Sequence, residues 1–171
     1  MSIKKTIAVL MAVMITGSCL CACGDKEETA DNTQTSQNAV QTKSLADVFG
    51  TVKTQVSLSE MVEFQDAASL DRYYGITAQQ AVEFAGGINN SGVEQEEIVL
   101  IKASDETSAE GIKTALENRR QAKINENRSY NPAQAEMIEK CNVETNGLYV
   151  FMIISPNNEQ ITQIVKAELG L

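Results

Sequence analysis

The 171-residue chain contains no histidine and no tryptophan, only two prolines, and four cysteines, three of which fall within its first 23 positions. The missing histidine excludes Ser-His-Asp and Cys-His catalysis and removes the commonest zinc and iron ligand sets. The missing tryptophan, with aromatics at 5% of residues, argues against the aromatic-lined cleft in which paired carboxylates hydrolyse a glycan. Positive charge is scarce as well: 14 Lys and Arg stand against 23 Asp and Glu, a formal net charge of −9. Such a chain is a poor partner for nucleic acid and for the anionic headgroups of a lipid surface.

Recognisable cofactor motifs are missing too. There is no Walker loop, and Gly86-Gly87 lacks the third glycine and following helix of a dinucleotide fingerprint. The acidic groups Glu94, Glu96 and Glu97, and Asp105 with Glu106, lack the alternating oxygen ligands and central glycine of a calcium loop. They read as solvated loop and cap residues, the last pair suited to the positive end of a helix dipole. No cofactor, metal site or catalytic residue is expected.

What is present begins at the amino end. Lys4 and Lys5 precede an apolar run from Ile7 to Ile15 and then small residues up to Cys23, the order of an export signal. The run is far shorter than the roughly 20 residues that span a bilayer. Leu20-Cys21-Ala22-Cys23 resembles a lipobox, in which a large aliphatic and a small residue precede the cysteine that receives lipid. Cleavage is expected between Ala22 and Cys23, with lipidation on Cys23. Cys19 is the rival acceptor, but Thr16 stands where Leu20 gives the better aliphatic match. Loss of a leader carrying two lysines and no acid takes the net charge from −9 to −11. Cys141 is then the only unmodified thiol, read as a small buried hydrophobe.

Three segments follow. Residues 1–22 form the signal peptide, and residues 23–43 the lipidated cysteine and a polar stalk too poor in apolar groups to fold. Residues 44–171 form one α+β domain. Ser44 caps a helix striped by Leu45, Val48, Phe49, Val52 and Val56. A short helix around Leu70, Tyr73 and Tyr74 stops at Gly75. Val82, Phe84, Gly86 and Ile88 alternate toward a loop and a second strand, Glu97 to Lys102, although Thr77-Ala78-Gln79-Gln80 also fits a capping box that would make residues 78–85 helical.

Thr107 to Glu110 reads as a capping box for a helix with Ala109, Ile112, Ala115 and Leu116 on its apolar face and a polar second half, Asn118 to Arg128, that projects past the sheet. Asn131-Pro132 opens another short helix. Cys141, Val143 and Thr145 alternate, Asn146-Gly147 predicts a type I′ turn, and Leu148 to Ile154 runs apolar before Pro156 and a last helix bearing Ile161, Ile164, Val165 and Leu169. Two hairpin-helix units predict a four-stranded antiparallel sheet with both post-hairpin helices on one face and the N-terminal helices packing on it. Because Leu148 to Ile154 is apolar on both sides, the Ser44 to Val56 helix or a partner must cover the second face.

The order of parts resembles a family of small lipoproteins from Firmicutes-type Gram-positive bacteria, known as domain of unknown function 4358. The resemblance rests on the lipobox and stalk, Tyr74-Gly75-Ile76, Glu97 to Lys102, the helix with Arg119-Arg120, Tyr130 with Pro132, and Gly147-Leu148-Tyr149-Val150-Phe151. It implies a lipid-anchored protein on the outer face of the cell membrane and brings no activity, ligand or catalytic residue with it.

One feature suggests contact with something else. Arg119, Arg120 and Lys123, with Arg128 and Tyr130 just beyond, concentrate positive charge on an acidic domain, as an anion, cell-wall or protein contact would require. The alternative is a salt-bridged helix face using Glu117 and Glu126. The leading expectation is a non-catalytic binding or interaction module anchored to the membrane by lipid. Capture of a small solute for a transporter comes second, and a carboxylate-based hydrolase acting on envelope polymers third.

Overall fold

A computed structural model describes residues 43–171. The expected signal peptide, the expected cleavage and lipidation site at Ala22 and Cys23, and the expected stalk up to residue 42 lie outside the described residues.

The apolar strands dictate the architecture. In β3 (Glu97–Ala103) and β5 (Tyr149–Ile154), residues of both parities are buried. Val99, Ile101, Val150, Met152 and Ile154 enter one core, while Ile98, Leu100, Phe151 and Ile153 enter another on the opposite side. Strand side chains alternate in direction, so two apolar faces demand two covering layers. On the first face lie α2 (Ala67–Tyr74), α3 (Glu106–Tyr130) and α4 (Pro132–Glu139), through Leu70, Ile112, Leu116, Ile124 and Ile138. On the second lie α1 (Leu45–Gln55) and α5 (Asn158–Leu169), through Leu45, Val48, Phe49, Val52, Ile161, Val165 and Leu169. Each such fully buried side chain contributes roughly 1.5–3 kcal/mol.

The architecture is α+β with one antiparallel sheet, but the sheet has five strands in the order β1-β2-β3-β5-β4, not four. The fifth is β1 (Val62–Glu63), a two-residue edge strand beside Ile88 and Gly87, too short to carry any period. Nor do the post-hairpin helices share a face. Helix α3 takes one side and α5 the other, and α5 joins α1 over the second apolar face.

Local signals resolve with similar detail. Residues 81–88 are a strand, β2 (Ala81–Ile88). The competing capping box does form, since Gln80 Oε1 accepts from Thr77 N–H at 3.0 Å, but it closes one turn before pairing with β3 takes over. Val82, expected to point inward, is exposed at a register shift between Ala81 and Glu83. Helix α3 starts two residues earlier than the Thr107 box predicts, because Asp105 accepts from Ser108 N–H at 2.7 Å. Its polar second half does not project freely: Lys123, Ile124 and Asn127 are buried. In the second hairpin, β4 (Val143–Asn146) pairs Asn146 with Tyr149, so the loop is Gly147-Leu148, one residue later than expected. Gly147, at φ +56°, occupies the first central position, where II′ loops take glycine.

Gly86 makes the closest approach in the sheet. At φ +137°, a Cβ there would lie 1.9 Å from the Ile98 carbonyl oxygen and 3.1 Å from the Phe64 ring. Phe64 N–H donates to the Gly86 carbonyl at 3.1 Å, so its ring covers the sheet where glycine leaves a gap. Gly86→Ala should therefore lower unfolding free energy by about 3 kcal/mol or more through strain and overpacking. Gly50→Ala, within α1 and with nothing within 4 Å of the new Cβ, should raise it by up to about 1 kcal/mol. Urea unfolding midpoints at unchanged slope measure both. A Gly86→Ala midpoint equal to that of the wild type would refute the close approach.

Candidate functional site

Two adjacent glutamates at one end of the sheet organise the polar interior. Glu97, the first residue of β3, lies in register with Ile88 and Ile154. Strand alternation sends its side chain toward α2 and α3 and that of Glu96 the other way. Glu97 is 0% exposed, and its carboxylate is filled by neighbours. Lys123 Nζ lies 2.8 Å from Oε2, Arg119 donates from Nη2 to Oε2 at 3.1 Å and from Nε to Oε1 at 3.3 Å, and the Tyr74 hydroxyl donates to Oε1 at 2.9 Å. Tyr74 reaches it because α2 ends there, closed by Gly75 in the left-handed conformation.

Burial alone would push the Glu97 carboxyl up. The charge of Lys123 and the hydrogen bond and charge of Arg119 outweigh it and hold the group below the usual carboxylate range. Burial, then the Glu97 charge and hydrogen bond, push the Tyr74 phenol far above its ordinary value, so it stays a protonated donor. A buried ion cluster of this kind adds little over an apolar packing of equal volume, yet removing one member is costly.

Against this geometry the contact patch of Arg119, Arg120 and Lys123 is corrected, and the salt-bridged alternative holds for Arg120 with Glu117. Arg119 and Lys123 turn inward to Glu97, and Lys123, 3% exposed, is no surface contact. Arg120 pairs with Glu117 at 3.0 Å and reaches the Ile138 carbonyl, which ties α3 to α4. Arg128 pairs with Glu139 rather than Glu126, and Tyr130 is 91% exposed. The structure thus splits the patch among three environments. The expectation that Glu96 and Glu97 are solvated is overturned, since both are buried. A signal for Lys123 was present: Ala109, Ile112, Leu116, Arg119, Lys123 and Asn127 recur at three and four, so the buried stripe of α3 continues into cations that require an acid opposite them.

On the other side, Glu96 Oε1 accepts from the Ser155 hydroxyl at 2.5 Å and Oε2 from Ser59 N–H at 2.7 Å. Both Glu96 and Ser59 line a groove of about 340 Å³ between the segment after α1, the β2–β3 loop, α4 and Pro156. Its walls are braced. Gln95 N–H donates to Gln134 Oε1 at 3.1 Å, Asn131 Nδ2 to the Val93 carbonyl at 3.3 Å, and buried Asn89 donates to the Glu60 carbonyl at 3.1 Å. Sequence reasoning missed Ser59 and Ser155 as partners of Glu96, since they come from segments distant in the chain. Cys141 is buried in the first core, where burial pushes its thiol up.

The family model for a domain of unknown function, DUF4358, matches residues 54–155. The chain belongs to this family. No curated protein and no solved structure matches it. The DUF4358 span includes Ser59, Tyr74, Glu96, Glu97, Arg119, Lys123 and Ser155, and so contains both glutamate clusters. Most of α1 and all of α5, the cover of the second apolar face, lie outside it.

Within the DUF4358 span, Glu97→Gln should destabilise most, by about 3–5 kcal/mol, because it leaves Lys123 buried without its partner. Lys123→Met should cost less, since Arg119 and Tyr74 still fill the carboxylate. Glu117→Ala should cost under about 1 kcal/mol. Denaturant unfolding ranks the three, and a Glu117→Ala loss equal to that of Glu97→Gln would refute the assignment. The folded-state pKa of Glu97 lies below its unfolded value near 4.5. Its stabilisation is complete above that pH and declines as pH falls below it. Wild-type unfolding free energy should therefore drop through this window more steeply than that of Glu97→Gln.

Proposed function

We propose that this chain is a lipid-anchored lipoprotein on the outer face of the cell membrane, and that its α+β domain is a non-catalytic binding module. Membrane attachment is through diacylglyceryl on Cys23, and the partner is a protein or cell-wall component rather than nucleic acid. For the anchor, the support is the lipobox Leu20 to Cys23 and the polar segment after it. Among the described residues, no helix is long and apolar enough to cross a membrane.

For the binding role, the observation that carries most weight is how polar groups are distributed. Arg119, Lys123 and Tyr74 are committed to Glu97, so the richest polar cluster holds helices to the sheet. The groove beside Glu96 lies at the opposite end of the sheet from the point where the chain enters the domain. Leu45 N–H donates to Glu83 Oε1, near the start of β2, and α1 then runs to Val56 and the groove. Lys43, the first described residue, thus lies away from the groove. A second reading, capture of a small solute, is favoured by the groove's size, which falls at the lower end of small-ligand sites.

Metabolic labelling with an alkyne fatty acid, followed by membrane fractionation, tests the anchor. Cys23→Ser should lose the label and leave the membrane fraction, while Cys19→Ser and Cys21→Ser keep both. Label persisting in Cys23→Ser would defeat the proposal.

A further inference from the structure

We infer that the groove beside Glu96 binds an aliphatic primary amine, with the ammonium group against the Glu96 carboxylate. The inference rests on reading the domain as a binding module and adds the chemical class of the ligand.

Glu96 is 5% exposed, yet among the described ion pairs no lysine or arginine meets it. Among the described residues its oxygens accept from two neutral donors, the Ser155 hydroxyl and Ser59 N–H. A carboxylate offers about four acceptor sites, so two stay open. A buried carboxylate without a counter-charge is costly to maintain. Glu97, one residue along, shows how this fold compensates a buried acid when the compensation is internal: two cations and a phenol surround it. At Glu96 no cation is present among the described residues, and the groove lies in its place.

A second observation points the same way. Among the described residues the Ser59 hydroxyl is buried without a hydrogen-bond partner, on the residue whose N–H already holds Glu96. Buried hydroxyls in folded proteins are ordinarily paired. An ammonium group carries three donors and no acceptor, matching one carboxylate and one free hydroxyl. Among the described residues the groove's lining holds no lysine or arginine, which disfavours an anion, and Glu94 adds a further negative charge. Leu58, Met137 and Pro156 supply apolar wall, against which the methylenes of a short alkyl chain would lie, much as lysine stems lie on apolar surface.

Once the leader is removed, Met61, Met137 and Met152 are the methionines of the chain, and they make a ready reporter. Met137 lines the groove and Met152 is buried in the core. The full lipidated chain, in detergent micelles and with carbon-13 methionine methyls, would be titrated with cadaverine, with Nα-acetyl-lysine amide, and with neutral diacetylcadaverine. The expected result is a saturable shift of the Met137 methyl with an amine and none with the diacetyl compound, while Met152 stays in place. Glu96→Gln should weaken binding by about tenfold or more, as loss of a charged hydrogen bond does. Ser59→Ala should weaken it by a smaller factor.

Tighter binding of cadaverine would assign the site to a free solute, and tighter binding of the lysine derivative to a peptide side chain. Either outcome supports the inference. It is overturned if diacetylcadaverine shifts Met137 as strongly as cadaverine, or if neither amine shifts it in the wild type. Should Glu96→Gln fail to fold, seen as a displaced Met152 methyl, the wild-type comparison of charged and neutral ligands still decides. Failure here leaves the fatty-acid labelling result untouched, and failure of that labelling leaves this titration interpretable.

Discussion

Two central strands apolar on both sides impose most of what the domain looks like. A strand such as Tyr149–Ile154, with all but its first residue buried, cannot leave either face to water, so helices must lie on both sides of the sheet. Helix α3, with α2 and α4, takes one side, and α1 with α5 takes the other. This constraint also explains the separation of the two post-hairpin helices. Had both packed on one face, α1 alone would have been left to cover Ile98, Leu100, Phe151 and Ile153.

At the end of that sheet, strand alternation separates two consecutive glutamates into different chemistry. Glu97 enters the α3 side and meets Lys123, Arg119 and Tyr74. Its depressed pKa reflects compensation strong enough to outweigh burial, and the cluster binds α2, α3 and the sheet into one register. Glu96 enters the other side and, among the described residues, meets a hydroxyl and an amide donor. Similar burial with different partners makes one acid a structural anchor and leaves the other able to take a cation from outside. The family match contains both, whereas the helices that cover the second face lie largely beyond it.

Much of the domain was legible from local pattern, and the failures have physical causes. The Ser44 cap, the Gly75 stop, both hairpins and the final helix were readable because each depends on residues close in sequence. Strand β1 was not, since two residues show no alternation and pair only because Gly86 and Gly87 let Val62 and Phe64 approach. The basic run from Arg119 to Lys123 looked like a surface because charge is usually solvated. Its three-and-four spacing continued the buried stripe of Ile112 and Leu116, which carried more information than the charge did. Ser59 and Ser155 have no such local mark. They come from segments far apart in the chain and meet at Glu96 only after folding.

By itself the sequence determined the absence of histidine chemistry, the α+β class and the need for cover on both strand faces, and it carries the lipobox-like Leu20 to Cys23 on which the proposed anchor rests. These follow from composition, short motifs and periodicity, all properties of neighbouring residues. Tertiary structure alone decided which cover lies on which face, that Glu97 closes an internal ion cluster, and that Glu96 faces a groove with no counter-charge among the described residues. Those outcomes depend on distances between segments far apart in the chain, and on a change of side at every strand residue that separates two otherwise identical glutamates.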